Sequence, residues 1–249
     1  MKLSETLRRS EAAGGFRTND LTLDFYQRVR ALAPPSPHVV DFGAGRGEWL
    51  EDTSDVRRSL QDLRDIAARI VGVDVAPAVM TNPYLDEAHV IDGEKPLPLD
   101  DGWADVVVAD WVLEHLDDPA WFVDECSRIV KPGGWVCART TTRAGYVALG
   151  ARVVPNVRHA KVLRQLQPRR KPEDVFPTRY RLNSVRAVAS AFGDGWENVS
   201  FPVWPNLAYG EGKAVAERVE RVWRAVALDR WAPVLYVFLR RLQPPADRP

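Results

Sequence analysis

The sequence predicts an α/β domain built on a seven-stranded, mostly parallel sheet with helices on both faces. Two observations carry this prediction. Short apolar runs alternate along the chain with longer helical stretches, which is typical of βαβ units. The run Ala104–Asp110 has a continuous apolar centre, as expected for a strand that is buried on both faces. The chain has 249 residues, of which 45% are hydrophobic, and this is enough for one large core.

The predicted elements follow one another in chain order. The segment from Leu21 to Leu32 predicts an amphipathic helix that packs on the domain as an arm; a lid is the alternative. A buried strand at His38–Phe42 ends in a glycine-rich turn, and a helix is expected from about Glu48. Further strands are predicted at residues 68–75, 88–92, 104–110, 135–138, 198–204 and 234–240, and further helices at residues 184–192 and 213–229.

One further helix is bounded by clear signals. It is expected to begin at Asp118-Pro119, because an Asp side chain caps free N–H groups and Pro suits the first helical turn. The sequence Lys131-Pro132-Gly133-Gly134 predicts where it stops. This helix would pack on the sheet between the fourth and fifth strands.

Composition excludes several classes of protein. Cys126 and Cys137 lie eleven residues apart without a CxxC spacing or a neighbouring histidine, which argues against a metal site and a disulfide framework. The N-terminus has no apolar run of the kind found in signal sequences, and no stretch approaches the roughly 20 apolar residues of a membrane span. We therefore expect a cytoplasmic protein with buried, reduced thiols.

The glycine-rich turn is the first candidate binding site. Its spacing is Gly43-x-Gly45-x-Gly47, whereas a dinucleotide fingerprint needs a third glycine where Glu48 stands. Asp41 precedes the turn, and its carboxylate would repel a pyrophosphate but attract a ligand with an ammonium or sulfonium group. The turn therefore favours S-adenosylmethionine over NAD.

Acidic residues follow the next strands at the same edge of the sheet. Asp74 stands where an acceptor for two ribose hydroxyls is expected in a nucleoside-binding fold. Asp92 offers a carboxylate for an adenine amino group, and Gly93 leaves room for the ring. Each lone Asp is also compatible with a turn or cap, but their coordinated positions favour a binding site. Val75, Asp110 and Trp111 complete the predicted cofactor-facing set.

Residues 39–138 resemble class I S-adenosylmethionine-dependent methyltransferases of the ubiquinone/menaquinone-methyltransferase-like branch, the methyltransferase type 11 domain. The resemblance rests on VVDFGAGRGEW, on IVGVDVAP and on the run from IDGEKPLPLDD through ADWVLEHLDDP to KPGGW. Lys95-Pro96 departs from the pattern by one added residue. The resemblance implies a Rossmann-like fold and S-adenosylmethionine as cofactor, and no metal is formally required.

Methyl transfer needs an acceptor atom placed in line with the S–CH3 bond. For a hydroxyl acceptor, His115 is the candidate general base, because it follows the fourth strand at the ligand-facing edge; alternatively Glu114 and His115 brace that turn. The candidate acceptor-binding residues all come after the fifth strand. They are Arg139, Tyr146, His159, Arg179 and Tyr180.

Charge is distributed unevenly although the net charge is zero. Residues 41–128 carry a net charge of −14, and residues 129–249 carry +12. Seven basic residues and no acid lie between Ala144 and Pro172, which fits an anionic acceptor, a membrane surface or a solvated loop. We predict one domain over residues 1–249, with a helical arm (1–35), a cofactor-binding core (36–142), an irregular basic acceptor-side segment (143–180) and C-terminal helices and strands (181–249).

The acceptor is constrained only loosely by the sequence. The segment 176–184 resembles one found in bacterial methyltransferases of glycans and lipids, which suggests a small-molecule or lipid-linked saccharide hydroxyl. The predicted helix at 213–229 adds an expectation of peripheral contact with the inner membrane face. Nucleic acid is not expected, since the basic run lacks interleaved aromatic residues. The alternative function is a noncatalytic S-adenosylmethionine-binding or partner-binding module.

Overall fold

The computed structural model describes residues 3–17, 19–143, 177–205, 218 and 231–243. The five helices in these ranges are α1 (Leu3–Ala12), α2 (Leu21–Leu32), α3 (Asp55–Gln61), α4 (Pro119–Ile129) and α5 (Val185–Phe192). The eight strands are β1 (His38–Phe42), β2 (Arg69–Asp74), β3 (Glu87–Val90), β4 (Ala104–Asp110), β5 (Val130–Thr141), β6 (Trp196–Asn198), β7 (Phe201–Val203) and β8 (Val234–Arg241). Short 3-10 turns lie at Glu48–Glu51, Pro77–Thr81 and Gly193–Gly195.

All described strands belong to one sheet. Its order is β3-β2-β1-β4-β5-β8-β6, and β7 also pairs with β8. Strands β1 to β5 are parallel, and β8 runs antiparallel to β5. The predicted α/β class and mostly parallel sheet are confirmed. Eight strands are present instead of seven because the strand expected at 198–204 is divided into β6 and β7, where the Asn198 side chain accepts a hydrogen bond from Ser200 N at 2.9 Å.

Two apolar layers cover the sheet, one on each face. On one face, Phe122 of α4 and Val188 of α5 pack against strand residues such as Val107. On the other face, Phe25 of α2 packs against Tyr236 and Phe238 of β8. Helices α4 and α5 thus shield one face of the sheet from water, and α2 shields the other. This fits the packed-arm interpretation of α2.

The ends of the helices follow from local capping. Asp118 accepts a hydrogen bond from Ala120 N at 2.9 Å and Pro119 opens α4, as predicted. Ser184 caps α5 by accepting from Ala187 N at 3.1 Å. The helix expected from Glu48 is instead broken into a 3-10 turn and α3, because Ser54 caps a new helix start.

Further predictions differ from the structure in detail or lie outside it. The Lys131-Pro132-Gly133-Gly134 turn follows α4 but is part of β5, where it makes an irregularity opposite β4. Residues 144–176, which contain the predicted basic run as well as Tyr146 and His159, lie outside the described residues, as does most of the helix predicted at 213–229. Both cysteines are buried and unpaired. Among the described helices, none is long and apolar enough to cross a membrane.

Candidate functional site

The glycine-rich turn lies at the carboxyl edge of the sheet, between β1 and β2. Gly43 N donates to Val73 O at 2.7 Å, which ties the turn to β2. Gly43 has φ +76°, and a Cβ at this position would lie 2.3 Å from Val112 Cγ2. Only glycine fits there without a shift of the backbone or of Val112. The requirement is therefore both conformational and steric.

Asp74, the predicted ribose acceptor, contacts the turn directly. Its Oδ2 accepts a hydrogen bond from Gly45 N at 2.9 Å, and its Oδ1 accepts from Ala76 N at 2.7 Å. These bonds hold the carboxylate at the end of β2 and beside the turn. Val75, the next residue, is 57% exposed and presents an apolar surface at the same edge. A nucleoside placed here would find both a ribose acceptor and an apolar contact.

Asn82 supports the turn from the side of β2, and the sequence analysis did not identify it. Its side chain is buried and donates to Ala44 O at 3.0 Å and to Gly45 O at 3.3 Å. It lies 37 to 38 residues along the chain from these carbonyls, so no local pattern marks it.

Asp41 concentrates negative charge at the turn. Burial and the nearby carboxylates of Asp110, Asp74 and Glu48 raise the pKa of Asp41 to about 7. No described residue donates a hydrogen bond to its side chain. Asp110 is paired with Arg139, and Glu48 lies 3.7 Å from Arg46, so Asp41 and Asp74 are the two acids of this group that have no cationic partner among the described residues. They disfavour an anion and favour a ligand that carries positive charge.

Asp110, at the end of β4, is paired inside the protein. Arg139 donates to both of its carboxylate oxygens, with Nη2 2.8 Å from Oδ2. Tyr26 OH donates to Oδ2 at 3.2 Å, and Arg139 Nη1 donates to Thr22 Oγ1 at 3.0 Å. Burial, followed by Asp110, raises the pKa of Tyr26 well above its usual value. Arg139, an expected acceptor-binding residue, is buried, and its donors are used to join α2 to β4.

Trp111 adopts a backbone conformation that is unusual for its residue type. Its φ is +60°, and its N–H donates to Arg139 O at 2.9 Å. The Arg139 guanidinium lies 5.2 Å from the centroid of its ring, within the range of a cation–π contact. A non-glycine residue in the left-handed region costs about 1 kcal/mol or more and is concentrated at functional sites. This geometry fixes the indole at the edge where β4 ends.

The loop after β3 carries Asp92 and Gly93. Asp92 Oδ1 accepts hydrogen bonds from Glu94 N at 3.0 Å and Lys95 N at 2.9 Å, and these bonds lower the pKa of Asp92. Asp92 thus makes the hydrogen bonds of a turn residue, and its role toward an adenine amino group stays a prediction. Gly93 has φ +75°, and the space beside it is open within 4 Å. A ring could approach the loop at this glycine.

Helix α4 holds this loop in place through side chains that the sequence analysis did not assign. Trp121 Nε1 donates to Lys95 O at 3.1 Å, and Glu125 Oε2 accepts from Leu97 N at 2.6 Å. Arg128 pairs with Glu125 at 2.7 Å and donates to Leu97 O at 3.0 Å. The added residue at Lys95-Pro96 is thus accommodated by direct bonds to α4.

The turn after β4 is joined to the chain segment that precedes α5. His115 Nδ1 lies 2.9 Å from Pro177 O, and because a carbonyl only accepts, Nδ1 carries the proton in the neutral ring. Nε2 is then the basic nitrogen. Glu114 O accepts from Arg179 N at 2.6 Å and Tyr180 N at 3.3 Å. The Arg179 side chain instead pairs with Asp117 at 2.6 Å, at the surface.

A buried polar network lies beneath this turn. Thr140 Oγ1 donates to Glu114 Oε2 at 2.6 Å. Asn183 Nδ2 donates to Thr140 Oγ1 and to Thr141 O, both at 2.7 Å. Glu114 therefore braces the turn from below, as the bracing interpretation predicted for it, and His115 stands beside it.

The central part of the chain is similar to a known protein family. The family model described as a methyltransferase domain matches residues 40–138, the segment that contains the turn, Asp74, Asp110 and Trp111. The match covers 99 of the 249 residues of the chain. The matched segment contains most of β1, all of β2 to β4 and most of β5, with α3 and α4 between them.

Curated relatives match a little under half of the chain. A Mycolicibacterium smegmatis protein, named a probable S-adenosylmethionine-dependent methyltransferase, is 40% identical over 123 residues, which are 47% of this chain and 43% of that protein. The ubiquinone biosynthesis O-methyltransferase of Burkholderia thailandensis is 32% identical over 109 residues, 44% of this chain and 46% of the relative. The match thus spans less than half the length of these relatives.

A solved structure shows the same fold. A SAM dependent methyltransferase from Archaeoglobus fulgidus superposes with a TM-score of 0.53 at 16% identity, covering 94% of this chain and 99% of the other. The two chains therefore share a fold. The predicted residues that this edge brings together are Asp41, Gly43, Gly45, Gly47, Asp74, Val75, Asp110 and Trp111.

Proposed function

We propose that this chain binds S-adenosylmethionine at the Gly43–Gly47 turn and transfers its methyl group to a small-molecule acceptor. The observation that carries the proposal is the Asp41 carboxylate, which no described residue pairs and which lies close to Asp74, an acid that likewise has no cationic partner among the described residues. An ammonium or sulfonium group would relieve this excess of negative charge. A pyrophosphate would increase it, which argues against NAD.

The residues at the sheet edge fit the remaining parts of this cofactor. Asp74 would accept hydrogen bonds from the ribose hydroxyls. Its Oδ2 already accepts a hydrogen bond from Gly45 N–H, so the carboxylate reaches the turn. Val75 and the open space at Gly93 would flank the adenine ring. When bound, the cofactor supplies a methyl group that is already activated by the sulfonium. The protein then has to place the acceptor and exclude water.

His115 would act on the acceptor side. With Nδ1 donating to Pro177 O, the neutral ring carries its lone pair on Nε2, and this nitrogen would take a hydroxyl proton of the acceptor. Glu114, held by Thr140, keeps the turn in place under it. In a His115→Ala variant, a general-base role predicts a large loss of turnover with unchanged cofactor affinity, and equal turnover in the variant argues against the role.

We further propose that the acceptor is a hydroxyl of a sugar, a glycolipid or a related metabolite. The proposal is supported by the resemblance of residues 176–184 to glycan- and lipid-modifying enzymes and by the basic composition of residues 144–172. A phosphate on the acceptor would match those basic residues. Peripheral contact with an anionic membrane would bring a lipid-linked acceptor to the site.

Isothermal titration with S-adenosylmethionine, S-adenosylhomocysteine and NAD in parallel tests the proposal. Binding of the first two ligands and not of NAD supports it and justifies a screen of radiolabelled methyl transfer to sugar and lipid-linked acceptors. NAD binding alone contradicts it. Tight cofactor binding without transfer to any acceptor in the screen favours the noncatalytic binding module.

A further inference from the structure

We infer that Asn82 is a positioning residue for the cofactor, because it fixes the direction in which the peptide groups of the glycine-rich turn point. The inference rests on the proposed function and adds to it a residue outside the turn. Asn82 follows the 3-10 turn Pro77–Thr81, and its own N–H closes that turn by donating to Val79 O at 3.1 Å. Its side chain is 7% exposed and faces the backbone of Ala44 and Gly45.

The orientation of the Asn82 amide follows from its partners. Its Nδ2 faces two carbonyl oxygens, Ala44 O and Gly45 O, and its Oδ1 accepts from Tyr84 N at 3.1 Å. A flipped amide would place an oxygen against both carbonyls and an NH2 group against an N–H, so that all three bonds would be lost. The group therefore acts as a double donor toward the turn.

A trans peptide bond carries this effect to the ligand side. The C=O and N–H of one peptide unit point in opposite directions, so anchoring Ala44 O on Asn82 directs Gly45 N–H away from it. That N–H points at Asp74 Oδ2, 2.9 Å away. By the same rule, anchoring Gly45 O on Asn82 directs the N–H of Arg46 to the opposite side. Asn82 thereby controls both the donors of the turn and the carboxylate that would hold the ribose.

The surroundings of Asn82 make it a rigid support. A Cβ on Gly47 would lie 3.0 Å from Asn82 Oδ1, so the end of the turn also packs against this side chain. The ring of Tyr84, two residues later, lies 4.1 Å from that of Trp49 and carries the Arg64 guanidinium at 3.9 Å. The segment around Asn82 is thus packed against Trp49, which follows the glycine-rich turn, and against Arg64, which follows α3.

The variant Asn82→Asp removes the two donor bonds selectively. An Asp at this position still accepts from Tyr84 N but turns an oxygen toward the carbonyls of Ala44 and Gly45. Asn198→Asp is a matched control, because Asn198 accepts in the same way from Ser200 N, two residues later, on β6 at the other side of the sheet. Asn82→Ser is a second, neutral variant that keeps one hydroxyl donor.

Two readouts decide the inference. Titration with S-adenosylmethionine should show a dissociation constant raised about tenfold or more in Asn82→Asp, less in Asn82→Ser, and by less than about twofold in Asn198→Asp. The added negative charge of Asn82→Asp would by itself favour a cationic ligand, so a loss of affinity would have to come from a changed orientation of the turn. Amide hydrogen exchange of the free protein should be faster at Gly45 and Arg46 in both Asn82 variants and unchanged in the control.

The outcomes separate the inference from the proposed function. If the wild-type protein binds S-adenosylmethionine and a folded Asn82 variant binds it equally well, with unchanged exchange at Gly45, the inference is overturned. A lower unfolding temperature with unaltered affinity also overturns it, since that pattern is a purely structural role. If the wild-type protein does not bind S-adenosylmethionine, the proposed function fails, and the exchange measurement still decides whether Asn82 orders the turn.

Discussion

Protonation of Asp41 should control the affinity for S-adenosylmethionine near neutral pH. The pKa of this carboxyl is raised to about 7 by burial and by Asp110, Asp74 and Glu48. A bound cation favours the ionised form, so binding should expel a proton wherever Asp41 is protonated in the free protein. The perturbation that isolates this effect is Asp41→Asn, which keeps the shape of the side chain and removes its charge.

The expected magnitude follows from the pKa. With a value of about 7, roughly 10% of the carboxyl is ionised at pH 6 and about 90% at pH 8. If only the ionised form binds well, affinity falls about tenfold for each pH unit below 7. The dissociation constant of the wild-type protein should therefore be raised on the order of tenfold between pH 8 and pH 6. In Asp41→Asn this part of the pH dependence is absent.

Isothermal titration of both proteins from pH 5.5 to 8.5 measures the effect. The ratio of the two dissociation constants is the useful quantity, because titration of the ligand's own amino group is common to both proteins and cancels. The ratio should favour the wild-type protein by tenfold or more at pH 8 and approach unity near pH 5.5. Proton release, measured by titration in two buffers of different ionisation enthalpy, should disappear in the variant. Parallel profiles for the two proteins would refute the assignment of Asp41 to a cationic ligand.

Three further predictions concern stability and binding. The pKa of Asp41 in the folded protein lies above its value in the unfolded chain, so its contribution to stability is present at low pH and is lost as pH rises through about 7. Asp41→Asn should therefore unfold at a higher temperature than the wild-type protein at pH 8 but not at pH 4. Gly43→Ala should lower the free energy of unfolding in urea by about 2–4 kcal/mol, because it adds a clash with Val112 to the strain of positive φ. Gly102→Ala, at φ +62° with nothing within 4 Å of the added Cβ, should lower it by only about 1 kcal/mol, and equal losses would contradict the steric argument. Arg139→Met should lower the free energy of unfolding by about 3–5 kcal/mol, because it leaves the Asp110 carboxylate buried without its cationic partner. The double variant Arg139→Met/Asp110→Asn should recover part of this loss in the same urea assay.

Sequence patterns located the elements with the strongest local signals. The strand β4 has the predicted bounds because its apolar centre is continuous and polar residues follow it. The start of α4 was predicted because Asp118 and Pro119 act through bonds to their own neighbours. The helix expected from Glu48 is broken instead, and here Asp52 competes with helix formation by accepting from Ser54 N at 2.9 Å and pairing with Arg57 at 2.6 Å.

The supporting residues of the site could not be predicted in the same way. Asn82 and the turn that it holds are separated by 37 to 38 residues, and Asn183 lies 43 residues from Thr140. Such contacts depend on which strands become neighbours in the sheet. A single sequence shows that these residues are polar and follow apolar segments, but it does not show which backbone groups they meet.

The alternation of β5 explains why Arg139 and Thr140 serve different parts of the site. Successive residues of a strand point to opposite faces of the sheet, so Cys137 and Arg139 face α2, whereas Ala138 and Thr140 face the side of α4 and α5. Arg139 therefore meets Asp110 and Tyr26 on the face covered by α2, and Thr140 meets Glu114 and Asn183 beneath the turn of His115. A one-residue shift in the pairing of β5 with β4 would exchange these two faces. The register that pairs Asp110 with Arg139 thus determines both contacts at once, because it decides which face of the sheet receives the Arg139 guanidinium and which receives the Thr140 hydroxyl.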